Sequence, residues 1–239
     1  MNKIAMAAGA IAIAALTYMG SGTGVLAAQE KAVKLPAPAV DSPAATQAAT
    51  ATAVFAGGCF WGVQGVFQHT QGVLNAVSGY AGGDKATASY NMIGSGRTGH
   101  AESVQITYDP RQISYGKLLQ IYFSVAHDPT TLNSQGPDRG TQYRSAIFYQ
   151  NERQKQVAEM YIAQLDAAKI FDSKIVTQLT ALAAPLAFYP AEAHHQDYAT
   201  LHPTQPYIAR FDLPKIANLK TMMPALYRDK PMLVSQARE

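Results

Sequence analysis

The chain of 239 residues holds a single cysteine, Cys59, and a single tryptophan, Trp61. One cysteine excludes an internal disulfide and a cysteine-based zinc site. Charge is scarce as well. Asp, Glu, Lys and Arg make up 15% of residues, the formal net charge is +3, and no basic run or basic helix face stands out. That leaves nucleic-acid binding without an electrostatic footing. No internal repeat is found. The apolar fraction is that of an ordinary globular protein, long enough to bury a core without covalent staples.

What is present begins with a leader. Met1-Asn2-Lys3 forms a short positive region, Ile4 to Met19 is apolar, and Val25-Leu26-Ala27 offers small residues for a signal peptidase. Residues 1–27 are therefore expected to be an export signal, cleaved after Ala27 or Ala28, which gives a periplasmic protein with no stable membrane domain. The apolar run is short for a membrane span and includes Gly9 and Thr17. Without cleavage it would tether the protein to the membrane. Residues 28–51 are rich in Ala, Pro, Thr and Gln and are expected to be a flexible linker. A catalytic domain over 52–228 and a tail over 229–239 complete the division.

The chain is organised around Ala56-Gly57-Gly58-Cys59-Phe60-Trp61-Gly62. The apolar run 51–55 reads as a strand, the two glycines break it, and an amphipathic helix starts at Gly62. A thiol at such a junction sits beside the positive end of a helix, which favours thiolate. The glycines permit a sharp turn and close approach of a substrate. A lone cysteine is more often a small buried hydrophobe, but two glycines before it and two aromatics after it point to function.

Further on, 73–80 and 101–108 alternate as strands, and Ser114 is a plausible cap for a helix carrying Leu118, Ile121, Tyr122 and Val125. Residues 144–149 read as a strand, 151–169 as a helix, 174–183 as a strand and 190–201 as a short helix. This alternation suggests an α/β or α+β sandwich. Several polar residues stand in loops: Glu102 after Gly99-His100-Ala101, Tyr90 in a glycine-rich segment, and Asp138 and Tyr143 around Arg139-Gly140-Thr141-Gln142. Gathered on the cysteine, an acid would protonate an oxygen, phenols would donate hydrogen bonds and aromatics would hold an apolar group. His194-His195 with Glu192 and Asp197 suggests a metal, but adjacent histidines on a helix face different ways, so no metal is expected.

Gly58-Cys59-Phe60-Trp61-Gly62 resembles the signature of the A-type peptide methionine sulfoxide reductases. The likeness continues through Gly79-Tyr80-Ala81-Gly82-Gly83, Ser95 to Glu102, His127-Asp128-Pro129-Thr130-Thr131, Gly140 to Ser145, Phe188 to Glu192 and His195-Gln196-Asp197-Tyr198. It implies an α+β fold: a two-layer α/β sandwich with a central mixed sheet, long active-site loops and a coiled C-terminal tail. It also implies roles. Cys59 would attack the sulfoxide sulfur, and Phe60 and Trp61 would take the methyl group, with Gly58 and His195 also at the substrate. Glu102 would protonate the oxygen, Tyr90 and Tyr143 would hold it, and Asp138 would order the pocket. The enzyme would act as a monomer on the S epimer in oxidised proteins or peptides, and on free methionine sulfoxide.

Relatives often carry further cysteines that resolve the sulfenic acid, whereas here Gly94 occupies one such place. The resemblance therefore implies no bound cofactor and an external reductant: a thioredoxin-like protein, a glutaredoxin or a small thiol. Gln64 replaces a common acidic residue, and Ala88-Ser89 a common Pro-Thr. Two rivals are a cysteine acyl-transfer hydrolase with His100 or His195 as base, and a non-catalytic module binding methionine or its sulfoxide.

Overall fold

The computed structural model describes residues 31–43, 46–47, 50–184 and 186–234. The sheet starts with β1 (Ala51–Gly57). Ala53 and Phe55 face the large core, while Val54 and Ala56 join a smaller cluster on the opposite face. A strand covered on both faces needs no polar alternation, which explains the unbroken apolar run. After the Gly57-Gly58 turn come α1 (Phe60–Gln68), β2 (Val73–Ala81), α2 (Tyr90–Ile93), β3 (Ala101–Tyr108) and α3 (Tyr115–Ile121). Helix α3 runs on into a π-helical turn, Tyr122–Ala126. The remainder holds the small hairpin β4 (Ser134–Gln135) and β5 (Asp138–Arg139), then β6 (Ser145–Tyr149), α4 (Glu152–Ala167), β7 (Gln178–Ala181), β8 (Phe188–Pro190), α5 (Tyr198–Leu201) and α6 (Leu213–Met222).

Among the described residues the main sheet has the order β7-β6-β1-β3-β2-β8. β1 pairs antiparallel with β3 and β6, β2 with β3 and β8, and only β6 and β7 run parallel. The sheet is therefore mixed, and α1, α3, α4 and α6 contribute to the core on one face of it, around Phe55, Phe67, Leu118, Tyr161 and Leu219. This is the expected α+β sandwich. Ser114 caps α3 by accepting from the Lys117 N–H at 3.1 Å, and Asn151 caps α4 by accepting from Gln154.

Four expectations need correction. The strand expected over 174–183 is confined to β7, because Val176 spends its N–H on Pro129 O instead of a ladder. The helix expected over 190–201 breaks into a turn at Ala193–His195 and α5, since Asp197 between them has a left-handed backbone. The tail expected to be coiled contains α6, with Pro214 in its first turn, where its missing N–H costs nothing, and Ile216 and Leu219 on its buried face.

The fourth concerns the linker. Residues 1–30, and with them the leader, lie outside the described residues, but 31–43 do not run free. Val33 donates its N–H to Ser124 O, and Ser124 Oγ donates back to Val33 O at 2.5 Å. Gln120 Nε2 bonds Leu35 O and Tyr161 OH bonds Pro36 O. Asp41 accepts from Ser114 Oγ and the Gly116 N–H at the start of α3. Low apolar content suggested disorder, yet the segment is ordered by one buried leucine, Leu35, and by side chains of α3 and α4 that reach its carbonyls.

Leu35→Ala is expected to cost about 2–3 kcal/mol by leaving a cavity, which lowers the thermal midpoint by about 5–10 °C in a domain of this size. A thermal melt showing an unchanged midpoint would mean that the strap is not docked in solution.

Candidate active site

Helix α1 runs through the interior, with every residue buried except Trp61. Gly62 and Gly65, three apart, let the C-terminal segment lie directly on it. A Cβ at Gly62 would come 2.2 Å from Asp212 Oδ1, and one at Gly65 2.8 Å from Ile216 Cδ1. The two buried glutamines of α1 are satisfied. Gln64 donates to Ala76 O at 3.0 Å and accepts from the Asp197 N–H, while Gln68 donates to Asp197 Oδ1. Gln64 thus ties α1 to both β2 and the C-terminal segment.

Cys59 is the residue preceding the first turn of α1, where backbone N–H groups lack helical partners. Alternation along β3 puts Glu102 on the same face as Val104 and Ile106, aimed at this end of the helix. Its Oε2 accepts the Phe60 N–H at 3.1 Å, and the Trp61 N–H is directed at the Cys59 sulfur. The preceding turn is clamped from behind. Gly58 has φ +86° and a Cβ there would lie 2.5 Å from the Gln135 side chain, while Gly57 sits against the His127 ring.

Cys59, Phe60, Trp61, Tyr90, Glu102, Tyr143 and Asp138 line one pocket of about 220 Å³. Trp61 stacks on Tyr198 at 4.0 Å and 14°. Tyr90 is anchored by its N–H to Glu192 Oε1, whose other oxygen accepts from Tyr80 OH. Two expected substrate contacts are not on the wall. Gly58 turns its open side to Gln135, and His195 packs its ring behind Phe60, Trp61 and Tyr90 at 5.4, 5.9 and 4.4 Å. His100 is not on the pocket wall and is bonded through Nε2 to Asp84 O. Among the described residues no group of His, Cys, Asp and Glu is arranged to hold a metal, and no helix is long and apolar enough to cross a membrane.

Gln205 and Tyr207, both unforeseen, complete the wall, and Tyr207 OH donates to Asp138 Oδ2 in a short hydrogen bond. The tail gave one overlooked signal: Pro214 followed by Ile216 and Leu219 marks a buried helix start just after Tyr207-Ile208.

Burial pushes the Glu102 carboxyl up to about 8; the Phe60 N–H opposes this, and Asp138 and Asp212 add to it. Its protonated form is then well populated at neutral pH. Burial also raises the Cys59 thiol well above its ordinary value, with Asp212 and Glu102 adding repulsion and the Trp61 N–H acting the other way. The expected thiolate is therefore not the resting form: one turn of helix N–H groups does not outweigh desolvation and three carboxyls. Burial likewise raises Tyr90, Tyr143 and Tyr207, so the phenols remain donors.

Thiolate absorbance of the reduced protein is expected to appear only above the ordinary cysteine range, and Asp212→Asn is expected to move its midpoint down. A midpoint near neutrality in the unsubstituted protein would contradict this electrostatic account.

The geometry can be set beside known proteins. Residues 51–224 match the family model described as peptide methionine sulfoxide reductase. A protein named peptide methionine sulfoxide reductase MsrA 2 from Mesorhizobium japonicum is 63% identical over 186 residues, covering 78% of this chain and 94% of its own. Its namesake from Synechocystis sp. is 49% identical over 198 residues, covering 82% and 89%. Among solved structures, methionine sulfoxide reductase A of Corynebacterium diphtheriae superimposes with a TM-score of 0.56 at 34% identity, over 75% of this chain and 88% of that one. With the matched region running from β1 through α6, this chain belongs to the peptide methionine sulfoxide reductase family.

Proposed function

We propose that this enzyme reduces the S epimer of methionine sulfoxide in oxidised proteins and peptides, with Cys59 as nucleophile and Glu102 as acid. One observation carries the assignment of roles: the only thiol and a proton-bearing carboxyl meet at one helix end, inside a pocket with two aromatic rings and two phenols. Phe60 and Trp61 supply the apolar surface for the methyl group. Glu102, Tyr90 and Tyr143 face the sulfoxide oxygen as donors. Asp138, held by Tyr207, orders the pocket wall.

Sulfoxide sulfur is a poor electrophile until its oxygen is protonated. Glu102 delivers its proton to that oxygen as the Cys59 sulfur bonds to the substrate sulfur, and the thiol proton returns to the Glu102 carboxylate. The substrate S–O bond then breaks, the released hydroxide bonds to the Cys59 sulfur, and the S–S bond breaks with its electron pair going to the departing methionine, which leaves Cys59 as the sulfenic acid. Two electrons have passed from Cys59 to the substrate, with no bound cofactor taking part. With no second cysteine in the chain, an external thiol restores Cys59: a small thiol, a glutaredoxin or a thioredoxin-like protein. S-epimer selection rests on the A-type resemblance, there being one reductase class per sulfoxide epimer.

The leader sequence supports export to the periplasm, where oxidised surface methionines would be the substrates of a monomeric repair enzyme. Sequencing the mature N-terminus from fractionated cells tests this, and a retained Met1 would overturn cleavage.

In a single turnover without reductant, one equivalent of methionine is expected from the S epimer, with a sulfenic-acid probe on Cys59. Cys59→Ser is expected to form none, and Glu102→Gln to slow formation by about 10²–10⁴-fold while still binding substrate. Full turnover by Cys59→Ser would remove the thiol from the mechanism.

A further inference from the structure

Cys59 borders two cavities. One is the substrate pocket, on the side of Trp61, Tyr90 and Glu102; the other, on the side of Gln135 and Phe211 and here called the rear one, is a narrow crevice of about 10 Å³. The two share Cys59, Asp138 and Tyr207, and the hydrogen bond between Tyr207 and Asp138 belongs to the wall common to both. The rear crevice has its own walls: Gln135 and Pro137 from the 134–139 hairpin, and Phe211 and Lys215 from the C-terminal segment.

We propose that this rear crevice is the route by which a low-molecular-weight thiol reaches the Cys59 sulfenic acid, an inference that rests on the sulfenate chemistry proposed above. Displacement at a divalent sulfur is collinear: the incoming sulfur approaches opposite the departing oxygen. That oxygen arrives from the substrate and is held at the front by Glu102, Tyr90 and Tyr143, so the free approach lies behind. The first thiol forms an S–S bond to Cys59 as the S–O bond breaks, the oxygen leaves as water with a proton from Glu102, and the thiol's own proton restores the Glu102 carboxyl. A second thiol then attacks the outer sulfur of that mixed disulfide, releasing the disulfide of the two thiols and restoring Cys59 with the second thiol's proton. Two thiols supply the two electrons.

The crevice as it stands has room for about one water molecule, so entry requires its wall to yield. We assign that yielding to the segment around Tyr207 and Phe211. Tyr207 is tied to the hairpin through Asp138, and Phe211 lies against Tyr207 with ring centroids 5.2 Å apart. With no second cysteine in the chain, the segment serves to admit an external thiol.

The test uses full-length mature enzyme carrying the sulfenic acid after one turnover, confirmed by probe labelling before reductant is added. Reduction by dithiothreitol is then followed with and without a methionine peptide, at a concentration shown to block the first turnover. The rear route predicts that the peptide leaves the reduction rate unchanged. It also predicts that Phe211→Ala, which widens only the crevice, speeds reduction by glutathione severalfold without changing the first turnover. Loss of reduction in step with front-pocket occupancy would overturn the route, as would a Phe211→Ala enzyme indistinguishable from the parent. Absence of probe labelling at the start would instead overturn the sulfenate chemistry itself.

Discussion

The hydrogen bond from the Phe60 N–H to Glu102 is the contact on which the rest of the site depends. A helix buried on all sides must satisfy the N–H groups of its first turn without water. Here the partner is a carboxyl projecting from the neighbouring strand β3, and the residue just before that turn is Cys59. Burying α1 thus brings thiol and acid together for structural reasons, and the pocket forms where the sheet loops and the C-terminal segment close over that end.

The same burial sets the protonation states. Glu102, Asp138 and Asp212 surround the sulfur, and desolvation keeps protons on acid and thiol alike. A carboxyl whose value rises from the ordinary range to about 8 on folding loses stabilisation as pH climbs between those limits, because the unfolded chain releases its proton first. The site therefore gives up stability on the alkaline side for an acid that is available at neutral pH.

Much of this was legible in the sequence because the informative residues are local. The Gly57-Gly58-Cys59 junction, the alternation that turns Glu102 inward, and the Asp138 to Tyr143 loop all announce themselves within a few positions. What escaped depends on distant partners. Tyr207 reaches Asp138 across 69 positions, and no local pattern places it in the pocket. Gly58 looked like room for substrate but is room for Gln135. The 31–43 strap lacks apolar content and is ordered by groups on α3 and α4. The thiolate expectation failed for a related reason: a helix start is visible in sequence, whereas the carboxyls that oppose it come from three separate segments.

The central claim is that Glu102 holds the proton the reaction needs while Cys59 rests as a thiol. The most direct test is the pH dependence of the first-turnover rate, measured without reductant in the parent enzyme and in Glu102→Gln. The account predicts a rate that falls as pH rises through about 8, set by ionisation of Glu102, and a glutamine variant that lacks this fall. A rate that instead climbs with pH to a plateau in both proteins would show thiolate formation alone to be limiting, and would contradict it.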